Sequence, residues 1–158
     1  MKSKKEKIKK SYRKAVFVVV YRKERNNLLY LILKRKLHWK GWEFPKGGVK
    51  NKETIKQTIT REVKEETGQN LVKIFKFKEK GKYKYDKIYP DRKDFLGQTY
   101  SLFSAEIKKK KIKLDRKEHS AYKWLDYKKA MKILSYRDQK KCLRIVNKFL
   151  EKKIRKLY

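Results

Sequence analysis

Residues 47–69 contain the feature that most restricts how this chain can fold, a cluster of carboxylates on a predicted helix. Glu62, Glu65 and Glu66 have the spacing that places side chains on one side of an α-helix. The helix also has an apolar stripe, formed by Ile55, Ile59 and Val63. Glu66 lies roughly 20° from the middle of this stripe, and Glu62 roughly 60°. At least one carboxylate therefore points towards the core, where an unpaired charge is very costly, so a divalent metal ion is the expected counter-charge.

Two structural alternatives to a metal site exist for these glutamates. The first is a solvated acidic face, but the carboxylates overlap the apolar stripe instead of opposing it. The second is internal pairing with Arg61 or a lysine. Arg61 lies about 100° round the helix from Glu62, so it cannot reach all three carboxylates, and we expect it to steady one of them.

The same segment resembles the signature of the Nudix hydrolases, G-x5-E-x7-R-E-U-x-E-E-x-G-U, in which U is an aliphatic residue. The fixed positions are filled here by Gly47, Glu53, Arg61, Glu62, Val63, Glu65, Glu66 and Gly68. The last position departs from the pattern, because Gln69 replaces the aliphatic residue, and we expect Leu71 to take over its packing role. The resemblance implies a site for magnesium or manganese ions that bridge a pyrophosphate.

Glycines and a helix cap are expected to shape the loop before this helix. Gly47 and Gly48 allow a close backbone approach, and Gly68 supplies a left-handed stop at the other end of the helix. Asn51 is the predicted N-cap. Lys46 adjoins the two glycines, where a point positive charge suits a polyphosphate.

Composition limits the remaining function classes. The 158 residues suit one domain, in which residues 1–10 form a basic flexible tail. The chain contains no 18-residue apolar run and only Cys142 as a thiol, so we expect a cytoplasmic protein with no membrane partner. His38 and His119 are too few and too scattered for a zinc site. The net charge of +33 is spread along the chain, so it indicates nucleic-acid binding only weakly.

Periodicity predicts a mixed order of strands and helices. Residues 14–21 and 28–35 read as a hairpin, and a short strand near residues 42–44 leads into the glycine loop. Further elements are predicted as strands at 71–79, 97–107 and 122–125, a polar insert rich in tyrosine at about 80–95, and helices at 127–134 and 137–155. This pattern predicts an α/β fold, and the resemblance implies a Nudix-type α/β/α sandwich with a mixed β-sheet.

Shorter segments resemble two groups of Nudix enzymes. The stretch from Glu118 to Leu125 is similar to a segment of asymmetrical diadenosine tetraphosphate hydrolases, in which a glutamate before a short strand is a metal ligand. Ser11-Tyr12-Arg13 resembles the opening of RNA pyrophosphohydrolases, where the arginine binds substrate. Tyr136 matches a position where both groups place an aromatic residue against a base, although it can also simply cap the turn between two helices.

The resemblance implies metal-dependent hydrolysis of a nucleoside diphosphate-linked bond. Glu62, Glu65, Glu66 and Glu118 are the expected catalytic residues, and with the Gly47 carbonyl they are the expected ligands of Mg²⁺ or Mn²⁺. The general base is Glu62 or Glu118. Glu53 and Arg61 are expected to orient the ligands. The expected substrate-binding residues are Arg13, Lys46, Lys82, Lys84 and Tyr136.

The substrate class is expected to be a nucleotide polyphosphate. Diadenosine tetraphosphate, cut to ATP and AMP, is the first choice, and the alternative in the same reaction class is the triphosphorylated 5′ end of RNA. A module that only binds nucleotides or RNA is a third interpretation, which the complete set of box glutamates disfavours. The oligomeric state is left open by the sequence.

Overall fold

The computed structural model of this protein describes residues 11–157. The strands are β1 (Ser11–Glu24), β2 (Asn27–Arg35), β3 (Gly41–Glu43), β4 (Lys46–Gly48), β5 (Lys73–Lys84), β6 (Phe95–Glu106) and β7 (His119–Leu125). The helices are α1 (Ile55–Thr67), α2 (Tyr127–Ile133) and α3 (Arg137–Arg155), with a 3-10 turn at Pro90–Arg92. The basic tail predicted for residues 1–10 lies outside the described residues, and the assignment of a single domain stays a prediction.

Seven strands form one mixed sheet in the order β3-β2-β1-β6-β5, with β4 paired to β1 and β7 paired to β2. β1 and β2 form the predicted hairpin, with Lys23 opposite Leu28. β1 runs parallel to β6, where Phe17 is opposite Leu102. The predicted mixed sheet is therefore confirmed, and β1 lies at its centre.

Helices cover both faces of the sheet, which confirms the predicted α/β/α sandwich. Phe17 and Val19 of β1 belong to the apolar cluster that includes buried residues of α2 and α3. Val16 and Val18 belong to the cluster on the opposite face, which α1 completes with Val63. Each such side chain contributes about 1.5–3 kcal/mol on full burial. The alternation along β1 therefore anchors α1, which carries the glutamates, to one face.

Several element boundaries differ from the predictions. β5 extends to Lys84, well into the segment predicted to be a polar insert, because Tyr83 continues the inward alternation begun by Phe75 and Phe77. β4 was missed because two of its three residues are glycines, which sequence patterns assign to loops. The N-cap of α1 is Thr54 and not Asn51, since the Thr54 hydroxyl and the Gln57 side chain complete a capping box.

Other local predictions are confirmed. Gly68 ends α1 with a left-handed φ of 75°, and Leu71 packs on the cluster beneath α1. Gln69, at the departure from the signature, is buried, and its amide donates to the Lys110 carbonyl at 3.1 Å. Cys142 is a buried free thiol on α3. Across residues 11–157, every helix is too short or too polar to cross a membrane.

Candidate active site

Two separate elements bring two buried carboxylates and a half-buried one together. Glu62 and Glu66 project from α1, and both are buried. Glu118 lies immediately before β7, where its carbonyl accepts hydrogen bonds from the backbone of Lys36 at 2.9 Å and Leu37 at 3.4 Å. The predicted residues Glu62, Glu66 and Glu118 are thus neighbours in space, although more than 50 residues separate Glu66 from Glu118 in the sequence.

Burial makes it unfavourable for Glu62 and Glu66 to carry charge. Glu66 is 1% exposed, and neither of its carboxylate oxygens has a hydrogen-bond partner among the described residues. Its pKa is raised well above 4.5, first by desolvation and then by the charges of Glu62 and Glu118. Desolvation also raises the pKa of Glu62 to about 7, against the opposing effect of Arg61. A divalent cation would supply the missing counter-charge and accept these free oxygens as ligands.

Glu65 differs from its neighbours, because its side chain is 48% exposed. It forms an ion pair of 3.3 Å with Arg61 and is not part of the buried group that includes Glu66 and Glu118. Its role as a metal ligand stays a prediction. The helix turn explains the difference, since consecutive positions such as 65 and 66 point about 100° apart.

Arg61 connects the helix to the loop that precedes it. Its guanidinium contacts Glu53 at 2.7 and 2.9 Å, Glu62 at 2.6 Å and the Gly48 carbonyl at 2.9 Å. It therefore contacts two of the three helix carboxylates, Glu62 and Glu65, where one was predicted, and does not reach all three. The long arginine side chain reaches across the helix surface to Glu62 and Glu65, whereas Glu66 points inward and is not contacted by Arg61. Hydrogen bonds from Arg61, and then from Thr58, lower the pKa of Glu53 to about 2.

The two glycines of β4 are in close contact with the site. A Cβ atom added to Gly47 would overlap the carboxyl group of Glu62, and one added to Gly48 would overlap the guanidinium of Arg13. Pairing with β1 fixes this strand, with Gly47 opposite Val16. A side chain at either position would displace the Glu62 carboxyl group or the Arg13 guanidinium from its place in the site.

Basic side chains face the carboxylates across a small cavity of about 40 Å³. Its lining comprises Gly47, Glu62 and Glu118, together with Arg13, Arg35, Lys46, Arg92 and Gln98. Arg13 donates to Gln98 at 3.1 Å, and Arg35 contacts Glu118 at 3.3 Å. Sequence reasoning found Arg13 and Lys46 but missed Arg35 and Arg92. An arginine at the end of the apolar run of β2 was the available signal for Arg35, because a buried arginine requires a partner.

Lys46 is buried at the junction of this cavity with a larger one. Its ammonium lies 3.4 Å from Glu43 and 4.3 Å from the centre of the Trp39 ring. Desolvation lowers its pKa, and Glu43 opposes that effect. Glu43 is fully buried and also lies 3.7 Å from Arg35. It was not among the predicted site residues, although an acidic residue between Trp42 and Phe44 was a signal for it.

The larger cavity has a volume of about 610 Å³ and aromatic walls. Its aromatic lining consists of Phe17, Trp39, Tyr83, Tyr85, Tyr89 and Tyr136. Tyr136, the predicted stacking residue, is 36% exposed and immediately precedes α3. Lys84 lines this cavity, whereas Lys82 lies over the Tyr12 ring at 4.4 Å. The tyrosine-rich insert was the sequence signal for Tyr83, Tyr85 and Tyr89, which were missed.

The two histidines lie in different surroundings. His38 is hydrogen-bonded to Asp91 at 2.9 Å. His119 is 1% exposed and forms, with Glu66 and Glu118, a group whose possible ligand atoms all lie within 4.8 Å of one another. Desolvation lowers the pKa of His119 to about 4, so its ring is neutral at pH 7. Counting histidines in the sequence excluded a zinc site but overlooked His119 as a neighbour of the carboxylates.

Comparison with known protein families and curated proteins gives a consistent result. The family described as NUDIX domain matches residues 11–144. An RNA pyrophosphohydrolase of a Nitratiruptor species is 36% identical over 96 residues, which cover 55% of this chain and 59% of that relative. The chain thus aligns with less than two thirds of that relative's length. An RNA pyrophosphohydrolase of a Sulfurovum species is 29% identical over 154 residues, covering 90% of this chain and 96% of the relative.

Solved structures share the same fold. A binary complex of the Ap4A hydrolase of C. elegans has a TM-score of 0.72 and 25% identity, covering 87% of this chain and 97% of that one. A NUDIX hydrolase of Listeria monocytogenes has a TM-score of 0.73 and 21% identity, and the match covers 89% of this chain and 95% of that one. The NUDIX domain of NrtR from Shewanella oneidensis, solved with ADP-ribose, has a TM-score of 0.71 and 16% identity. The match covers 89% of this chain and 90% of that one.

Proposed function

Because the chain belongs to the Nudix family of pyrophosphohydrolases, we propose that it hydrolyses a pyrophosphate bond at the 5′-polyphosphate end of a nucleotide chain. The observation that carries this proposal is a single cavity in which Glu62 and Glu118 face Arg13, Arg35 and Lys46. Carboxylates can hold a divalent cation on one side while arginines and lysine bind phosphate oxygens on the other. A pyrophosphate group requires both kinds of contact.

The carboxylates of the cluster fit a magnesium or manganese ion. Glu62, Glu66 and Glu118 would hold it, with the Gly47 carbonyl and Glu65 as the further ligands that the family signature implies. The free oxygens of buried Glu66 support this assignment. When bound, such an ion neutralises phosphate charge and lowers the pKa of a water molecule.

The protein's own side chains supply the remaining chemistry. Arg13 and Lys46 bind and orient the phosphates, helped by Arg35. A carboxylate of the cluster, Glu62 or Glu118, takes the proton from the attacking water. Arg61 positions Glu62 through its contact of 2.6 Å and is itself fixed by Glu53. Loss of this support would displace the carboxylate from the phosphates.

The aromatic cavity is suited to one nucleobase. Lys46 lines both cavities, so a base held in the larger one has its 5′-phosphates directed towards the carboxylates. Tyr136 and Trp39 offer aromatic faces for stacking, and Lys84 at the rim can contact a phosphate. Lys82 is not part of the lining of that cavity and lies over the Tyr12 ring, so its part in phosphate binding is the weakest of these assignments.

Triphosphorylated RNA is the substrate that we place first. Both curated relatives described above carry the name RNA pyrophosphohydrolase. A groove of about 590 Å³ between α1 and the sheet adds a surface for a polyanion, because four lysines line it, Lys14, Lys56, Lys76 and Lys80. Diadenosine tetraphosphate is the second candidate. It is favoured by the structural likeness to the C. elegans Ap4A hydrolase and by the segment from Glu118 to Leu125.

A substrate panel tests these assignments directly. Triphosphorylated RNA oligonucleotides, diadenosine tetraphosphate, nucleoside triphosphates and ADP-ribose are incubated with the protein and Mg²⁺ or Mn²⁺, and kcat/KM is measured for each. We expect the highest value for RNA, with pyrophosphate or phosphate released and a 5′-monophosphate left. A higher value for diadenosine tetraphosphate would reverse the order of the two candidates. Hydrolysis of neither, by protein that binds metal, would contradict the proposal.

A further inference from the structure

His119 is a buried imidazole without a hydrogen-bond partner among the described residues. Its ring is 1% exposed, and neither ring nitrogen meets a donor or acceptor. A carboxylate oxygen of Glu43 lies 3.9 Å from Nε2, which is too far for a hydrogen bond. Buried polar groups in native proteins are nearly always satisfied, so an orphaned imidazole requires an explanation.

The position of His119 provides that explanation. One of its ring nitrogens and one carboxylate oxygen each from Glu66 and Glu118 lie within 4.8 Å of one another. Glu66 is equally buried, and within residues 11–157 its two oxygens are also without hydrogen-bond partners. Two unsatisfied buried side chains, one with nitrogen and one with oxygen donor atoms, therefore converge on the same point.

A β-bulge directs His119 to this point. In the pairing of β2 with β7, Lys34 is opposite Ala121, but Arg35 is opposite His119, so Ser120 is an extra residue. A bulge shifts the alternation of side chains along a strand by one residue. Without the extra residue, Arg35 would be opposite Ser120 and the register of His119 would change.

We propose that His119 is a nitrogen ligand of the divalent cation in this site, together with Glu66 and Glu118, and that it makes the site selective for Mn²⁺ and similar transition metals over Mg²⁺. The inference rests on the metal centre of the proposed function and adds a ligand to it. Mg²⁺ keeps an octahedral shell of oxygen ligands, whereas a site with a nitrogen donor also binds first-row transition metals, among which Mn²⁺ is held most weakly.

Nitrogen coordination can be detected without measuring activity. The protein, prepared without an affinity tag, is loaded with one equivalent of Mn²⁺, and electron spin echo envelope modulation is recorded. We expect ¹⁴N modulation in the unmodified protein and its loss in His119→Gln. The matched control is His38→Gln, which removes the other histidine of the chain and should retain the modulation. Modulation that is absent from the unmodified protein, or persists in His119→Gln, would overturn the assignment.

Metal affinity gives a second measurement. Isothermal titration of metal-free protein should show that His119→Gln binds Mn²⁺ at least about tenfold more weakly, since changes near metal ligands typically reduce affinity by 10–100-fold. Mg²⁺ affinity should change much less. Equal losses for both metals would contradict the selectivity.

Two additions ensure that each outcome of the experiment either supports or refutes the assignment of His119 as a ligand. If His119→Gln does not fold, the test uses the His38→Gln protein, in which His119 is the only histidine, grown with ¹⁵N-histidine. The modulation from ¹⁴N should then be replaced by that from ¹⁵N, because the coordinating nitrogen belongs to His119. Hydrolysis with Mg²⁺ and no nitrogen modulation would refute the His119 assignment and leave the proposed function intact. Nitrogen modulation in a protein that hydrolyses no substrate of the panel would refute the proposed function alone.

Discussion

Replacing Glu62 with glutamine should stabilise the metal-free protein while weakening its response to metal. The carboxyl group is buried, and desolvation raises its pKa from 4.5 to about 7 despite the contact of 2.6 Å with Arg61. An amide of nearly the same shape keeps an oxygen that accepts from Arg61 but carries no charge. The unfavourable burial of a carboxylate is therefore removed, together with a metal ligand.

The magnitude follows from the difference between the folded and unfolded pKa values of Glu62. Because the folded-state pKa is raised, the stability linked to the protonated form is fully present below pH 4.5 and is lost as the pH rises through about 7. A pKa difference of one corresponds to about 1.4 kcal/mol, so the loss at pH 8 is on the order of 3 kcal/mol. For a protein of this size, that loss corresponds to about 6–12 °C in Tm.

Thermal unfolding in EDTA at pH 5 and pH 8 measures this effect. Glu62→Gln should exceed the unmodified protein in Tm at pH 8, and the difference should be much smaller at pH 5. Adding Mn²⁺ at pH 8 should raise the Tm of the unmodified protein more than that of the variant. Glu65→Gln is the matched control, because a side chain that is 48% exposed should change the metal-free Tm little. An unchanged or lower Tm for Glu62→Gln in EDTA at pH 8 would refute the reasoning.

Three other substitutions test separate parts of the site. Glu66→Gln should retain the circular dichroism spectrum but remove nearly all turnover in excess Mg²⁺, and substantial remaining turnover would argue against its role as a ligand. Gly47→Ala should weaken metal binding in titration calorimetry, because its Cβ overlaps the Glu62 carboxyl group; unchanged affinity would show that the contact is dispensable. Tyr136→Ala should raise KM for nucleotide substrates roughly tenfold to a hundredfold with a much smaller change in kcat, since base stacking contributes about 1–3 kcal/mol. Equal losses on inorganic tripolyphosphate would instead identify Tyr136 as a packing residue.

Local sequence patterns were sufficient for the helix that carries the glutamates and for most of the sheet. The spacing of the glutamates relative to the apolar stripe of α1 predicted that at least one carboxylate points towards the core, and both Glu62 and Glu66 are buried there. Such a prediction succeeds because the helix repeat is fixed by backbone geometry, independently of the rest of the molecule. The β1–β2 hairpin was predictable for a similar reason, since two apolar runs flank a short polar turn.

The partners of these glutamates were decided by the tertiary structure. His119, Arg35 and Glu43 reach the site from β7, β2 and β3. The tyrosines of the aromatic cavity come from β5, from the segment that follows it and, for Tyr136, from the start of α3. The orientation of His119 depends on one extra residue in the pairing of β7 with β2. A register shift of this kind is set by how whole strands pack together. Local periodicity cannot predict it, because the pattern of residues in the sequence is the same whichever register the strands adopt.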